Sequence, residues 1–200
     1  PRRAAVPAYL MSRPSAEYEL RFLRAGADAL EAYLLSAEHS WPIAARSPTG
    51  ARPYPPLTLG ALLLARQKAS ALTNSQATSL LELNSEIEEI RSRWQAAWAR
   101  KAALEFPVRL RLWRNFLMEY RQEPDIHADR YAYEVERRVQ LELLSNEFST
   151  SLPAEMTLLA SLDALLKNKL ISGGFVWDVA FAQVFPETPF WYLYGHLRGD

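Results

Sequence analysis

The chain has 200 residues, of which 49% are hydrophobic and 23% charged, and its formal net charge at pH 7 is zero. This composition is typical of one globular domain with a substantial core, and the neutral total charge argues against a general affinity for nucleic acid. The absence of cysteine excludes thiol nucleophiles, disulfides, iron–sulfur clusters and thiolate zinc sites. No apolar run approaches the roughly 18 residues needed to cross a bilayer, so we expect a soluble protein with no membrane partner, which we assign to the cytoplasm by default.

The N-terminal region predicts an arm followed by the first helix. Residues 1–14 are rich in proline and arginine, which favours a flexible arm, and we assign residues 15–200 to a single helical domain. Ser15 occupies an N-cap position, and Glu17 begins an acidic first turn. The apolar stripe that follows predicts a helix to about Ala37.

The next segment predicts a long loop and a buried helix. Residues 38–56 contain five prolines, a density that forbids a regular element, and Trp41 and Tyr54 would hold this loop against the domain. Thr58 can cap a short helix from Leu59 to about Leu72. Its run of apolar residues predicts burial on nearly all sides.

The segment from Ser75 to Arg121 predicts one long helix. Its apolar seam alternates spacings of three and four, which is typical of a helix that packs lengthwise against a neighbour. The seam consists of Leu80, Leu83, Ile87, Ile90, Trp94, Ala97, Lys101, Leu104 and Val108. A straight helix of this length would extend roughly 70 Å, which exceeds a compact domain. We therefore predict a kink at Pro107, which lacks a backbone donor, and a weaker disturbance at Ser85.

A second helix, predicted from Asp125 to about Phe148, would return along the long segment as an antiparallel hairpin. Pro153 then marks the first turn of a helix that reaches about Leu170 and is terminated by the pair Gly173-Gly174. Apolar residues recur at helical spacing through most of the chain. We therefore predict an all-α fold of five or six helices, built on this long, kinked hairpin.

The C-terminal segment is rich in aromatic residues and has two interpretations. We expect residues 175–194 to form a strap that completes the core, because aromatic side chains at this density are rarely left in water. Alternatively, the segment presents a partner or ligand surface, since Trp and Tyr dominate binding hot spots. The residues of this candidate surface are Trp177, Phe190, Trp191 and Tyr194.

Residues 91–114 form a strongly basic stretch. Tryptophans lie between its basic residues, as they do in faces that track phosphates and stack on bases. The candidate nucleic-acid-binding residues are Arg91, Arg93, Arg100, Arg109, Arg111 and Arg114. The predicted partner helix of the hairpin is acidic, so we expect part of this charge to be neutralised inside the protein.

Motifs for catalysis, metals and cofactors do not occur in the sequence. His39, His127 and His196 lack the spacing of a helical metal site, and the position of His127 between Asp125 and Asp129 fits a helix cap better than a cation site. Nucleotide-binding and nucleophile motifs are also missing. We therefore predict no catalytic residue, no metal and no cofactor, and we lean against an enzyme.

These observations favour a non-catalytic helical interaction or scaffold protein, which binds a protein partner or associates with itself. The alternative is a nucleic-acid-binding helical protein that uses the basic face at residues 91–114. A small-molecule-binding bundle or an enzyme is the least favoured class, because it requires distant carboxylates to converge in one cavity.

Overall fold

The computed structural model describes residues 16–71 and 77–199, and within these ranges the chain is mostly helical. The predicted flexible arm, residues 1–14, lies outside the described residues. The all-α prediction holds in its main feature. Near the C-terminus, however, two short strands form an antiparallel pair that was not predicted.

Helix α1 spans Ala16–Leu35, and the proline-rich loop follows it without helical structure, as predicted. Trp41 and Leu57 tie the two ends of this loop together, because each backbone amide donates to the other residue's carbonyl at 2.8 Å. The ring of Tyr54 lies 4.8 Å from that of Tyr18, between ring centres, and its hydroxyl donates to the Tyr18 carbonyl. The loop is therefore fixed against α1, as Trp41 and Tyr54 suggested.

Helix α2 spans Leu59–Ala69 and lies at the centre of the domain. The hydroxyl of Thr58 accepts a hydrogen bond from the Ala61 amide, which confirms the predicted cap. All residues from Leu59 to Ala65 are buried, in agreement with the predicted burial on nearly all sides. The helix packs against α1 and against two later helices of the chain.

The predicted long helix is divided into two helices, α3 at Ala77–Arg93 and α4 at Gln95–Gln122. They meet at Trp94, whose backbone has φ −116° and ψ 36° and lies outside helical geometry. The predicted seam continues for part of the way past this break. Ile87 of α3 and Lys101 of α4 are buried as predicted, but Leu104 of α4 is 49% exposed. The seam is therefore wrong at Leu104.

Neither predicted disturbance interrupts a helix. Pro107 lies inside α4 on a partly exposed side, so the Ala103 carbonyl that loses its amide partner can bond to water. Near Ser85, two polar side chains of α3 hold the helix against α2. Asn84 and Glu88 both accept hydrogen bonds from Arg66 of α2, at 2.9 and 2.5 Å.

The helix predicted over Asp125–Phe148 is also interrupted. It consists of α5 at Pro124–His127, a 3₁₀ turn, α6 at Tyr131–Glu134 and α7 at Glu136–Ser145. Val135 separates α6 from α7. The backbone stays close to helical at Val135, with φ −64° and ψ −17°, and the Val139 amide donates to the Val135 carbonyl at 3.1 Å.

Helix α7 packs along α4 in the opposite direction. The Trp98 indole donates to Glu147 at 2.8 Å, near the start of α4 and just beyond the end of α7. Nearer the other end, Arg137 donates to the Leu112 carbonyl at 3.5 Å. The packing of α7 on α4, with α2 beside both helices, forms the main part of the core.

Helix α8 spans Pro153–Lys169, with its proline in the first turn as predicted. Strand β1, Leu170–Phe175, follows directly and pairs antiparallel with β2, Tyr194–Leu197. The pair Gly173-Gly174 therefore lies within a strand, at a shift in register, and does not terminate the helix. The expected stop signal is instead part of an irregular strand.

The aromatic tail between the two strands forms short helical turns, including α9 at Glu187–Phe190. Phe181, Phe185 and Tyr192 are almost fully buried and belong to the main core. The tail thus contributes directly to the packing of the domain.

Candidate interaction surface

Three of the six candidate nucleic-acid-binding arginines form ion pairs within the protein. Arg91 lies 2.7 Å from a carboxylate oxygen of Glu147, and Arg109 lies 2.8 Å from one of Glu105. Arg93 forms a longer, exposed pair with Glu31. These arginines are therefore partly or fully neutralised by neighbouring carboxylates.

The other three predicted arginines lie on α4 and have no ion pair among the residues that the structure describes. Arg100 donates to the Leu34 carbonyl at 3.4 Å, whereas Arg111 and Arg114 are exposed to solvent. Arg121, which the sequence analysis did not select, is exposed in the same way.

The arginines of α4 that have no ion pair with a described residue lie on one side of the helix, together with two apolar residues. We call this side the outer face of α4. On a helix with 100° between successive residues, its members fall within about a quarter of the circumference. They are Arg100, Leu104, Arg111, Arg114, Met118 and Arg121. Leu104 is 49% exposed and Met118 is partly exposed, so the face combines cationic groups with apolar side chains.

This combination has a defined binding chemistry. Guanidinium groups form paired hydrogen bonds with carboxylates or phosphates, while exposed leucine and methionine side chains gain free energy when a partner covers them. The outer face of α4 can therefore bind an acidic surface that also offers some apolar area.

The four aromatic residues predicted as a partner or ligand surface pack against the domain to different degrees. Phe190 is buried, whereas Trp177, Trp191 and Tyr194 are partly buried. The Trp177 indole donates to the Ala132 carbonyl at 2.7 Å. Their use as a binding surface stays a prediction.

The structure also contains a partly buried ion cluster that was not predicted from the sequence. Lys68 of α2 and Arg52 of the proline-rich loop lie 2.7 and 3.1 Å from the same carboxylate oxygen of Glu136 in α7. Burial by itself would raise the pKa of Glu136, but the charges and hydrogen bonds of Lys68 and Arg52 lower it to about 2. The cluster joins three segments that are distant in sequence.

Glu19 of α1 lies beside this cluster and is only 4% exposed. Burial raises the pKa of Glu19 to about 7, against the attraction of Lys68 and with a further contribution from the negative charge of Glu136. Two carboxylates with separated pKa values can act as an acid and a base in an enzyme. Here Glu19 is enclosed by the domain, so it does not present a carboxylate to a substrate.

Two further ion networks tie the helices together. Arg138 of α7 forms two hydrogen bonds of 2.9 Å with Asp163 of α8, and its guanidinium lies 4.5 Å from the centre of the Tyr192 ring. Glu105 of α4 accepts a hydrogen bond of 3.0 Å from the Gly60 amide at the start of α2. Such paired contacts fix the relative positions of the elements they join.

The sequence offered one signal for these interior charges. Lys68 occurs in a helix whose apolar residues predict burial on nearly all sides, so a buried cation with an acidic partner could have been expected. The identity of that partner could not, because Glu136 is 68 positions away.

Within residues 16–71 and 77–199, no three or more His, Cys, Asp or Glu side chains are grouped so that they could hold a metal ion. In these same ranges, no helix is both long enough and apolar enough to cross a membrane. Comparisons of the chain with protein-family models, curated proteins and solved structures give no match.

Proposed function

We propose that this protein is a non-catalytic helical interaction module that binds an acidic protein surface on the outer face of α4. One observation carries the proposal. Arg111, Arg114 and Arg121 are exposed on one side of a helix and have no ion pair with any described residue, although most other arginines of the described chain are paired.

The mixed character of the face favours a protein partner over nucleic acid. Leu104 and Met118 lie among the arginines, and apolar side chains at such positions gain free energy from a partner with apolar area of its own. A phosphate backbone offers little such area. The internal pairing of Arg91 and Arg109 also shortens the basic stripe available for phosphates.

A binding experiment with two probes tests this function. Fluorescence anisotropy would compare a labelled glutamate-rich peptide with labelled duplex DNA at about 50 and 200 mM salt. The test variant replaces Arg111, Arg114 and Arg121 with glutamine. Its control replaces Arg46, Lys167 and Lys169, which are exposed and lie outside α4, so that the charge change is the same.

We expect the peptide to bind at low salt, to weaken as salt rises, and to bind the test variant at least about tenfold more weakly, with the control unchanged. Equal binding by the test variant and the native protein would place the binding surface elsewhere. Tighter binding of DNA, also lost in the test variant, would replace the acidic protein partner with nucleic acid.

A further inference from the structure

The outward side of α3 is acidic and has the same mixed character as the outer face of α4. Six residues, which we call the outer face of α3, are exposed within less than a third of the helix circumference. They are Thr78, Leu81, Glu82, Ser85, Glu89 and Ser92. Leu81 is 70% exposed, which is high for a leucine in a helix of a folded domain.

Two carboxylates of this face have no ion pair in the described part of the chain. Glu86 and Glu88, the other acidic residues of that stretch, pair with Arg24 and Arg66 at 2.7 and 2.5 Å. Glu82 and Glu89 are exposed, and no described cation lies within ion-pair distance of either. The protein thus presents an unpaired acidic face on α3 and an unpaired basic face on α4.

The spacing of the charges on the two faces matches. Glu82 and Glu89 are seven residues apart, and so are Arg114 and Arg121. Seven residues correspond to nearly two turns and a rise of about 10 Å, so both pairs present their charges on one side at the same separation. If α3 of one molecule lies antiparallel to α4 of another, Glu82 meets Arg121 while Glu89 meets Arg114.

The residues between the charges fit in the same register. Ser85, midway between the two glutamates, would lie opposite Met118, midway between the two arginines. A small residue opposite a long, flexible one allows two helices to approach closely. The zero net charge of the chain adds no overall repulsion between copies.

We propose that the acidic surface bound by the outer face of α4 is the outer face of α3 in a second copy of this chain. This inference rests on the proposed function and names its partner. Exposed ion pairs contribute little individually, so the association is weak at physiological salt and strengthens as salt is lowered.

Sedimentation velocity over a concentration series tests the inference with two opposite charge reversals. One variant carries Arg114→Glu and Arg121→Glu, and the other carries Glu82→Arg and Glu89→Arg. Each reversal alone places like charges opposite each other. In a one-to-one mixture, the unchanged α3 of the first variant meets the unchanged α4 of the second, and the two altered faces also carry opposite charges. A variant with Arg46→Glu and Lys169→Glu controls for the change in net charge of the first variant, and circular dichroism establishes that each variant is folded.

We expect the native protein and the control to sediment faster as concentration rises at about 50 mM salt. Each reversed variant should sediment as a monomer, and the mixture of the two should recover the association. A native protein that stays monomeric at low salt, or folded variants whose mixture stays monomeric, would overturn the inference. If a monomeric native protein still binds the glutamate-rich peptide, the proposed function stands and only the second copy is rejected.

Discussion

Lys68 donates a hydrogen bond of 2.7 Å to the Glu136 carboxylate, inside the domain. The ammonium also lies 4.7 Å from the centre of the Trp177 ring. One cation therefore connects α2, α7 and the C-terminal tail. Because both charged groups have left bulk water, each depends on the other for compensation.

The Glu136→Gln substitution should destabilise the domain by about 3–5 kcal/mol, because it leaves the Lys68 and Arg52 charges without their carboxylate. Replacing Lys68 with methionine in the same variant should recover part of this loss. Urea denaturation of the single and double variants measures the coupling. Glu89→Gln, at an exposed and unpaired position, is the control and should change stability by less than about 0.5 kcal/mol.

The buried carboxyl of Glu19 should make stability decrease as pH rises. Its pKa is about 7 in the folded protein against 4.5 as the ordinary value, so the folded state holds this proton more tightly than the unfolded state. The stabilisation is complete below pH 4.5 and is lost as pH rises through about 7. The loss amounts to about 3 kcal/mol. Glu136, which stays ionised above pH 4.5, does not contribute to this slope.

Urea denaturation at several pH values between 4.5 and 8 tests this prediction. Glu19→Gln should remove most of the slope and should be more stable than the native protein at pH 8, since a neutral amide replaces a buried negative charge. The same slope in Glu19→Gln and in the native protein would show that another group causes it.

Gly60 should be intolerant of a side chain, although alanine normally favours a helix by about 0.5–1 kcal/mol. A Cβ atom at this position would lie 2.8 Å from the Glu105 carboxylate oxygen and 3.3 Å from Gln140. We therefore expect Gly60→Ala to cost about 1–3 kcal/mol in thermal or urea unfolding. Gly174→Ala is the matched control, because no atom lies within 4 Å of its Cβ position. A stabilised Gly60→Ala variant would contradict the packing at the start of α2.

Elements marked by local chemistry were predictable from the sequence. The cap at Thr58, the proline at the start of α8 and the proline-dense loop each have a signal within a few residues. The break at Trp94 has no such signal, because tryptophan is not a helix breaker. Pro107 does not end a helix, because α4 continues through it and water can satisfy the carbonyl that loses its partner.

The candidate surface was predicted only in part for a related reason. A count of basic residues selects Arg109 and Arg111 equally, but tertiary contacts give Arg109 a carboxylate and leave Arg111 exposed. The strand Leu170–Phe175 was missed because its partner, Tyr194–Leu197, is distant in sequence. Pairing of distant segments has no periodicity that a local pattern can reveal.

Trp177 should contribute to stability through both packing and its hydrogen bond. Trp177→Ala should cost about 3 kcal/mol, and Trp177→Phe about 1 kcal/mol because the Ala132 carbonyl loses its donor. Thermal unfolding measures both. Val179→Ala, at an exposed position of the same tail, should leave the melting temperature unchanged. An unchanged melting temperature in Trp177→Ala would instead favour the tail as a partner surface.

Arginine-selective modification with phenylglyoxal, read by mass spectrometry, most directly tests whether the outer face of α4 is the binding surface. In the free protein at low concentration, Arg111, Arg114 and Arg121 should react readily, whereas buried Arg138 should not. A glutamate-rich peptide at low salt should protect these three arginines and leave Arg46 reactive. Protection of Arg46 to the same extent, or no protection of Arg111, Arg114 and Arg121 by a bound peptide, would contradict the proposed surface.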